Sequence, residues 1–234
     1  MFSPLHLFLI LFTIVSVPYL CQAIINGGHQ RVEKVLKGIA LAIVFFDPAY
    51  WIWEYVTFGY FRWETTLPLY LCSLFWLLMP FAAFLKRGQM KQIALANIAT
   101  VGLISGVLGF VLNYHIDVYP IFSFVGIRTL LYHYLMIFTA ALLWTSKYYQ
   151  PKVGDQIRAF IPVLILLIPS LILNKLYGYD YGYTAGGQGT ALTILSDKLP
   201  QLIFLIILYA VFFLIVWGLF YRKLPLFSKR ISSI

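Results

Sequence analysis

Two side chains of this sequence could together perform chemistry on an ester. Cys72 lies in the stretch LPLYLCSLFW, and His133 lies in RTLLYHYL. The thiolate is the reactive form of cysteine, and a neighbouring imidazole that accepts the thiol proton lowers the cost of forming it. A third side chain that orients the imidazole would complete a nucleophile, base and orienting group. These residue types could therefore support nucleophilic catalysis by an activated thiol.

The third role has several candidates. Glu54, Asn113 and Asp117 are polar residues near the predicted ends of apolar segments, and the sequence does not choose among them. Asn113 could instead donate to an oxyanion, as could Tyr132 or Ser73. Zinc binding by one cysteine, one histidine and carboxylates is a weaker hypothesis, because no CxxC or HxxxH spacing is present.

Asp47 is a different kind of candidate, because it falls near the middle of an apolar segment and directly precedes Pro48. Ionisable groups at membrane depth are costly and mark functional sites by default. Asp47 could also satisfy backbone groups freed by a proline kink or pair with a buried donor. Arg128 is expected to pair with Asp117 at the interface or to contact lipid headgroups, where it could hold a phosphate.

Each catalytic residue also has a purely structural interpretation. Cys72 could be packing alone, because a thiol inside a membrane helix behaves as a small hydrophobe. His133, between two tyrosines, could form a hydrogen bond between helices. Cys21 falls at the inner end of the first predicted span and is interpreted as packing.

The elements that must position these residues are membrane helices. Of the 234 residues, 62% are hydrophobic and 11% are charged, and a water-soluble domain could not bury that much apolar surface. The predicted fold is all-α: a single transmembrane domain, residues 1–234, that forms a polytopic bundle with a cavity open to the outer leaflet. Its seven predicted spans cover 5–25, 36–58, 67–85, 93–112, 126–146, 159–175 and 200–221.

Lysine and arginine residues orient the bundle. Most of them fall in alternate loops, after the first, third, fifth and seventh apolar runs. Basic loops stay on the cytoplasmic side, so we expect the N-terminus outside and the C-terminus inside. This orientation places Glu54, Cys72, Asn113 and His133 in one shallow layer beneath the outer surface.

Two further stretches bear on packing. The segment Tyr177–Lys198 is rich in glycine and tyrosine, and we expect an exposed outer loop, with a partly re-entrant flap as the alternative. Gly102, Gly106 and Gly109 form a small-residue face in the fourth span, which predicts that this helix lies inside the bundle.

The runs LPLYLCSLFW and YPIFSFVGIRTLLYHYLMI, with seven spans, resemble the YwaF-like bacterial membrane proteins, a family related to vertebrate transmembrane protein 164. The vertebrate relative is regarded as a cysteine-dependent acyltransferase acting on ether phospholipids. More distant relatives hydrolyse fatty-acid esters with a threonine and a histidine. The resemblance implies a nucleophile at Cys72 and a base at His133. Many relatives have a histidine where this chain has Tyr70.

We therefore expect a lipid acyltransferase or ester hydrolase that needs no cofactor and no metal, in a bacterial plasma membrane. Its partner would be a phospholipid or another acyl lipid, and not nucleic acid. The alternative is a lipid or small-molecule transporter or an accessory membrane subunit, which Asp47 at mid-depth would favour.

Overall fold

The computed structural model describes residues 3–112, 115–187 and 192–223, and every regular element within these ranges is helical. The longer helices are α1 (Pro4–Ile25), α2 (His29–Val44), α3 (Phe46–Phe58), α5 (Ser73–Phe84), α6 (Gln89–Asn97), α7 (Leu103–Val111), α9 (Phe124–Thr145), α10 (Asp155–Tyr177) and α12 (Gln201–Val216). The four-residue helices are α4 (Trp63–Thr66), α8 (His115–Val118) and α11 (Thr193–Ser196). Single π-helical turns at Ile98–Gly102 and Trp217–Tyr221 continue α6 and α12.

The described helices confirm an all-α polytopic membrane protein. Six stretches are long and apolar enough to cross a membrane: Pro4–Ile25, His29–Phe58, Gln89–Val111, Phe124–Thr145, Asp155–Tyr177 and Gln201–Tyr221. The third predicted span is represented by a shorter apolar helix, α5. The number of spans, seven, and their orientation stay predictions.

The stretch Gln89–Val111 and helix α9 form the centre of the bundle, whereas α1 and α12 lie at its periphery. Burial covers 67% and 61% of the most apolar windows of the two central stretches, against 17% for α1 and 11% for Gln201–Tyr221. The expected interior position of the glycine-rich helix is therefore confirmed. A Cβ at Gly106 would lie 2.9 Å from Met136 Cβ, so glycine permits the close approach of α7 to α9.

The helix expected over 67–85 begins only at Ser73. Leu67 is extended (φ −76°, ψ 134°), because a residue that precedes proline is disfavoured in the helical region. Pro68 follows it, and residues 67–72 form an irregular connector of turns. Cys72, expected five residues inside a continuous helix, instead lies at the N-cap of α5.

The second span is interrupted where Pro48 removes a backbone donor. In an uninterrupted helix, the residue at position 48 would donate to the Val44 carbonyl, and proline cannot. The indole of Trp76 donates to that carbonyl at 3.3 Å, so α5 satisfies an acceptor that the break in α2–α3 exposes. This break places Asp47 in the first turn of α3.

Candidate active site

The thiol of Cys72 is held where an irregular connector meets a helix. Turn hydrogen bonds join Ser73 N–H to the Tyr70 carbonyl at 2.9 Å and Phe75 N–H to the Cys72 carbonyl at 3.0 Å. Ser73, the next residue in the chain, places a hydroxyl near the thiol. Cys72 is a half-buried free cysteine, whereas Cys21 is 1% exposed within the apolar core, which fits its interpretation as packing.

An ion pair from two other helices lies beside this thiol. Arg128 of α9 binds the Asp47 carboxylate through Nη2 and donates from Nε to the Phe46 carbonyl at 3.0 Å. The charges of Asp47 and Arg128 both act electrostatically on Cys72. Asp47 therefore pairs with a buried donor, one of its two structural interpretations. The expected pairing of Arg128 with Asp117 stays a prediction, because the Asp117 side chain lies outside what the structure describes.

Tyrosine rings surround the Arg128 guanidinium. Its Cζ lies 4.8 Å from the centroid of Tyr50 and 5.9 Å from that of Tyr132. A guanidinium over an aromatic face is attracted by the negative face of the ring, more strongly where water is excluded. The cation is therefore fixed in direction as well as neutralised by Asp47.

Tyr132 links α9 directly to the backbone at Cys72. Its hydroxyl donates to the Cys72 carbonyl at 3.1 Å and accepts from the Trp76 N–H at 3.1 Å. Its ring lies 5.7 Å from that of His133, edge to face. Tyr132 thus contacts both the expected nucleophile, Cys72, and the expected base, His133.

His133 faces the glycine-rich helix α7. Its Nδ1 is 2.8 Å from the Thr129 carbonyl one turn earlier, a contact in which Nδ1 carries the proton and donates. That tautomer leaves Nε2 as the basic nitrogen. The imidazole lies against Gly109, where an added Cβ would overlap it, so the glycine provides the space that the ring occupies. His133 is 8% exposed.

The tyrosine loop, Gly178–Gly187, closes another side of the site. Asn174 accepts from the Tyr181 N–H at 2.8 Å and donates to the Tyr181 carbonyl at 2.9 Å, and Tyr209 donates to the Gly182 carbonyl at 3.0 Å. Tyr181 is fully buried whereas Tyr183 is 38% exposed, so the expected exposed loop is only partly exposed in its described residues. Asn174 supplies the hydrogen bonds that a buried loop otherwise lacks.

The tyrosine loop reaches the Cys72 region through Tyr70 and Tyr183. The ring of Tyr70 meets those of Tyr181 and Tyr183 at centroid distances of 5.7 and 6.1 Å. Burial, together with the nearby Cys72, raises the pKa of Tyr183 to about 12, so its hydroxyl stays protonated and able to donate at neutral pH. Sequence reasoning missed this role of Tyr183; the density of tyrosines in the segment was the available signal.

Glu54 is committed to a different network. It is fully buried and accepts from Arg62 Nε at 3.0 Å, from Thr65 Oγ1 at 2.8 Å and from Thr66 Oγ1. These contacts join the end of α3 to α4. Glu54 thus connects α3 to α4, and none of its described hydrogen bonds goes to His133.

Two expected supporting residues cannot be placed in this site. Asn113 lies outside the described residues, and of Asp117 only the backbone, in α8, is described. Within the described ranges, no group of three histidine, cysteine, aspartate or glutamate side chains is arranged to hold a metal ion.

An apolar groove of about 220 Å³ opens beside the connector, lined by Trp63, Leu67, Leu173, Tyr177 and Tyr179. It lies between the irregular connector and the end of α10, where Leu176 and Tyr177 are exposed beside Lys175. Cys72 is not among its lining residues, so the expected open cavity at the thiol is not what this groove provides.

Fold and site together define a multi-pass α-helical membrane protein whose polar residues gather around a break in two membrane segments. The model of the TMEM164 family matches residues 1–221. The chain therefore belongs to the TMEM164 family, which confirms the expected relationship to transmembrane protein 164. No curated protein and no solved structure matches the chain.

Proposed function

We propose that the protein is a cysteine-dependent acyltransferase or ester hydrolase acting on membrane lipids. The carrying observation is the setting of Cys72: a half-buried thiol at the start of α5, beside the Asp47–Arg128 ion pair and the hydroxyl of Ser73.

The reaction has two steps. The Cys72 sulfur attacks the carbonyl carbon of an acyl ester, and the thiol proton passes to Nε2 of His133. The C–S bond forms as the ester C–O bond breaks, and the leaving alkoxide takes the proton from the imidazolium. The hydroxyl of a second lipid, or water, then attacks the thioester, and the released thiolate is reprotonated. No cofactor enters this sequence.

His133 is the proposed base because its Nδ1 contact leaves Nε2 to accept a proton. Tyr132 contacts the imidazole through its ring and the Cys72 carbonyl through its hydroxyl, so the proposed base and nucleophile share one neighbour, and in the liganded state Nε2 and the thiol would meet directly or through one water. Hydrogen bonds of this kind are often long before substrate binds.

Arg128 would contact the phosphate of a phospholipid substrate through guanidinium N–H groups other than those that bind Asp47 and the Phe46 carbonyl. Ser73 and Tyr183 would supply the donors for the developing oxyanion. The apolar groove beside the connector would take an acyl chain. The site would face the outer leaflet of a bacterial plasma membrane.

The transporter alternative depends on Asp47 as an uncompensated carboxylate on a polar path. Asp47 instead binds Arg128, with 12% of its side chain exposed. The described contacts of Asp47 thus favour a fixed electrostatic role over a binding site that must load and release an ion.

The test is labelling of the protein in native membranes with an acyl thioester probe that transfers its chain to activated thiols. We expect labelling of the wild type, none in Cys72→Ala, and a sharp reduction in His133→Ala. Cys21→Ala is the matched control and should label as the wild type does. Equal labelling of Cys72→Ala and wild type would overturn the proposal.

A further inference from the structure

The hydroxyl of Tyr132 stands between two backbone groups at the start of α5. It accepts from the Trp76 N–H at 3.1 Å and donates to the Cys72 carbonyl at 3.1 Å. In a regular helix, the N–H of residue i+4 donates directly to the carbonyl of residue i, and Cys72 and Trp76 have that spacing. The Tyr132 hydroxyl, from α9, therefore bridges the Cys72 carbonyl and the Trp76 N–H at the start of α5.

The bridging phenol is held firmly. Tyr132 is 5% exposed, and its ring meets Phe46 at 5.9 Å and Phe75 at 5.8 Å, centroid to centroid. A ring packed on two sides has little rotational freedom, so its hydroxyl is a fixed reference point in the bundle. Cys72, by contrast, follows an irregular connector whose own hydrogen bonds are those of turns.

We propose that Tyr132 is a positioning residue that sets the direction of the Cys72 thiol by holding the carbonyl of the same residue. The inference rests on the proposed function, in which Cys72 is the nucleophile. Cys72 already has helical backbone angles (φ −64°, ψ −31°) and its carbonyl also accepts from the Phe75 N–H at 3.0 Å, so without the bridge the Trp76 N–H can close directly on this carbonyl. That closure shifts the Cys72 backbone, and with it the sulfur, relative to the Asp47–Arg128 ion pair.

This role differs from that of an oxyanion donor. A tyrosine hydroxyl has one proton, and here that proton goes to the Cys72 carbonyl. Tyr132 therefore cannot also donate to an oxyanion on the substrate while it holds the backbone. Its effect is expected on the reactivity of the thiol itself, before any substrate binds.

The test uses the full chain carrying Cys21→Ala, in which Cys72 is the one remaining thiol. The alkylation rate of Cys72 by a small membrane-permeant maleimide is measured against pH in lipid nanodiscs. Tyr132→Phe keeps the ring and removes the hydroxyl. Tyr134→Phe is the matched control, because it removes a hydroxyl from the same helix that bonds Ser16 at 3.0 Å.

We expect Tyr132→Phe to change the alkylation rate at least about tenfold and to shift the midpoint of its pH profile, since displacements near 1 Å alter reactivity on this scale. Tyr134→Phe should match its parent in both. Replacement of Tyr132 by 4-aminophenylalanine, which restores a donor at the same place, should return the rate towards that of the parent.

The outcomes separate the inference from the proposed function. A reactive Cys72 whose rate and pH profile are the same in Tyr132→Phe would overturn the positioning role and leave the proposed function standing. A Cys72 that does not react in the parent, in folded protein, would overturn the proposed function and the inference with it. If Tyr132→Phe does not fold, the test uses the 4-aminophenylalanine variant instead. A Cys72 alkylation rate in that variant that differs from the rate in the parent would contradict the inference.

Discussion

Gly109→Ala should displace His133, and the size of the effect follows from the packing of α7 against α9. A Cβ at Gly109 would overlap the imidazole, with its Cε1 at 2.9 Å and two further ring atoms closer still. Ordinary contact between carbon atoms requires about 3.5 Å or more, so the ring must retreat by roughly 1 Å or the helices must separate. Overpacking of this kind costs about 1–3 kcal/mol.

Gly102→Ala is the control for this substitution. It lies about two helical turns earlier in the same span, and its added Cβ would meet its nearest atom, the Asn97 carbonyl oxygen, at 3.5 Å. Both changes replace a glycine by alanine within one apolar helix, so differences in helix propensity are shared between them. Only the Gly109 variant pushes on the imidazole.

The assay measures thermal unfolding in detergent and acylation of Cys72 by the thioester probe. We expect Gly109→Ala to unfold at a lower temperature and to acylate about 100-fold more slowly, the loss typical of a 1 Å misplacement of a catalytic group. Gly102→Ala should match the wild type in both. A Gly109→Ala protein that is destabilised but acylates at the wild-type rate would refute the assignment of His133 as the base.

Three further predictions concern the groups around the site. Asp47→Asn leaves the Arg128 cation without its counter-charge and should destabilise the protein by about 3 kcal/mol, while Asp47→Asn with Arg128→Met should recover part of that loss in the same thermal assay. Asn174→Ala removes hydrogen bonds to the backbone at Tyr181, so it should lower stability by about 2 kcal/mol and speed hydrogen exchange in the tyrosine loop. Loss of the exposed hydrogen bond between Gln22 and Asn26 is the control. Unchanged exchange in Asn174→Ala would show that Asn174 does not hold the loop. Single cysteines placed in the basic loops of a Cys21→Ala, Cys72→Ala chain should resist an impermeant thiol reagent applied from outside, and labelling there would reverse the orientation.

Sequence periodicity and composition were sufficient to predict where the helices lie, but not where they are interrupted. The run 126–146 predicted α9 to within two residues, because a long apolar stretch has few other solutions in a membrane. The run 67–85 was misjudged because hydropathy averages over Pro68, whose local steric effect keeps Leu67 extended and delays α5 to Ser73.

For the candidate site too, some features could be predicted from the sequence and others could not. Cys72, His133 and Asp47 could be chosen as candidate site residues from residue type and predicted membrane depth alone. The partner of Arg128 could not, because Asp47 and Arg128 are 81 residues apart in sequence and meet only when α3 packs against α9. The role of Tyr132 was equally inaccessible, since its bond to a backbone carbonyl leaves no mark on the sequence around Cys72.

The central claim, that Cys72 carries an acyl group during turnover, is tested most directly by mass spectrometry of the protein purified rapidly from its native membrane. The account predicts an acyl chain on the peptide containing Cys72, removed by neutral hydroxylamine as a thioester must be, and absent from the peptide containing Cys21. Substitution of His133 by alanine should abolish the adduct, because the thiol proton then has no acceptor. An unmodified Cys72 in folded protein that had been supplied with acyl lipid would contradict the account.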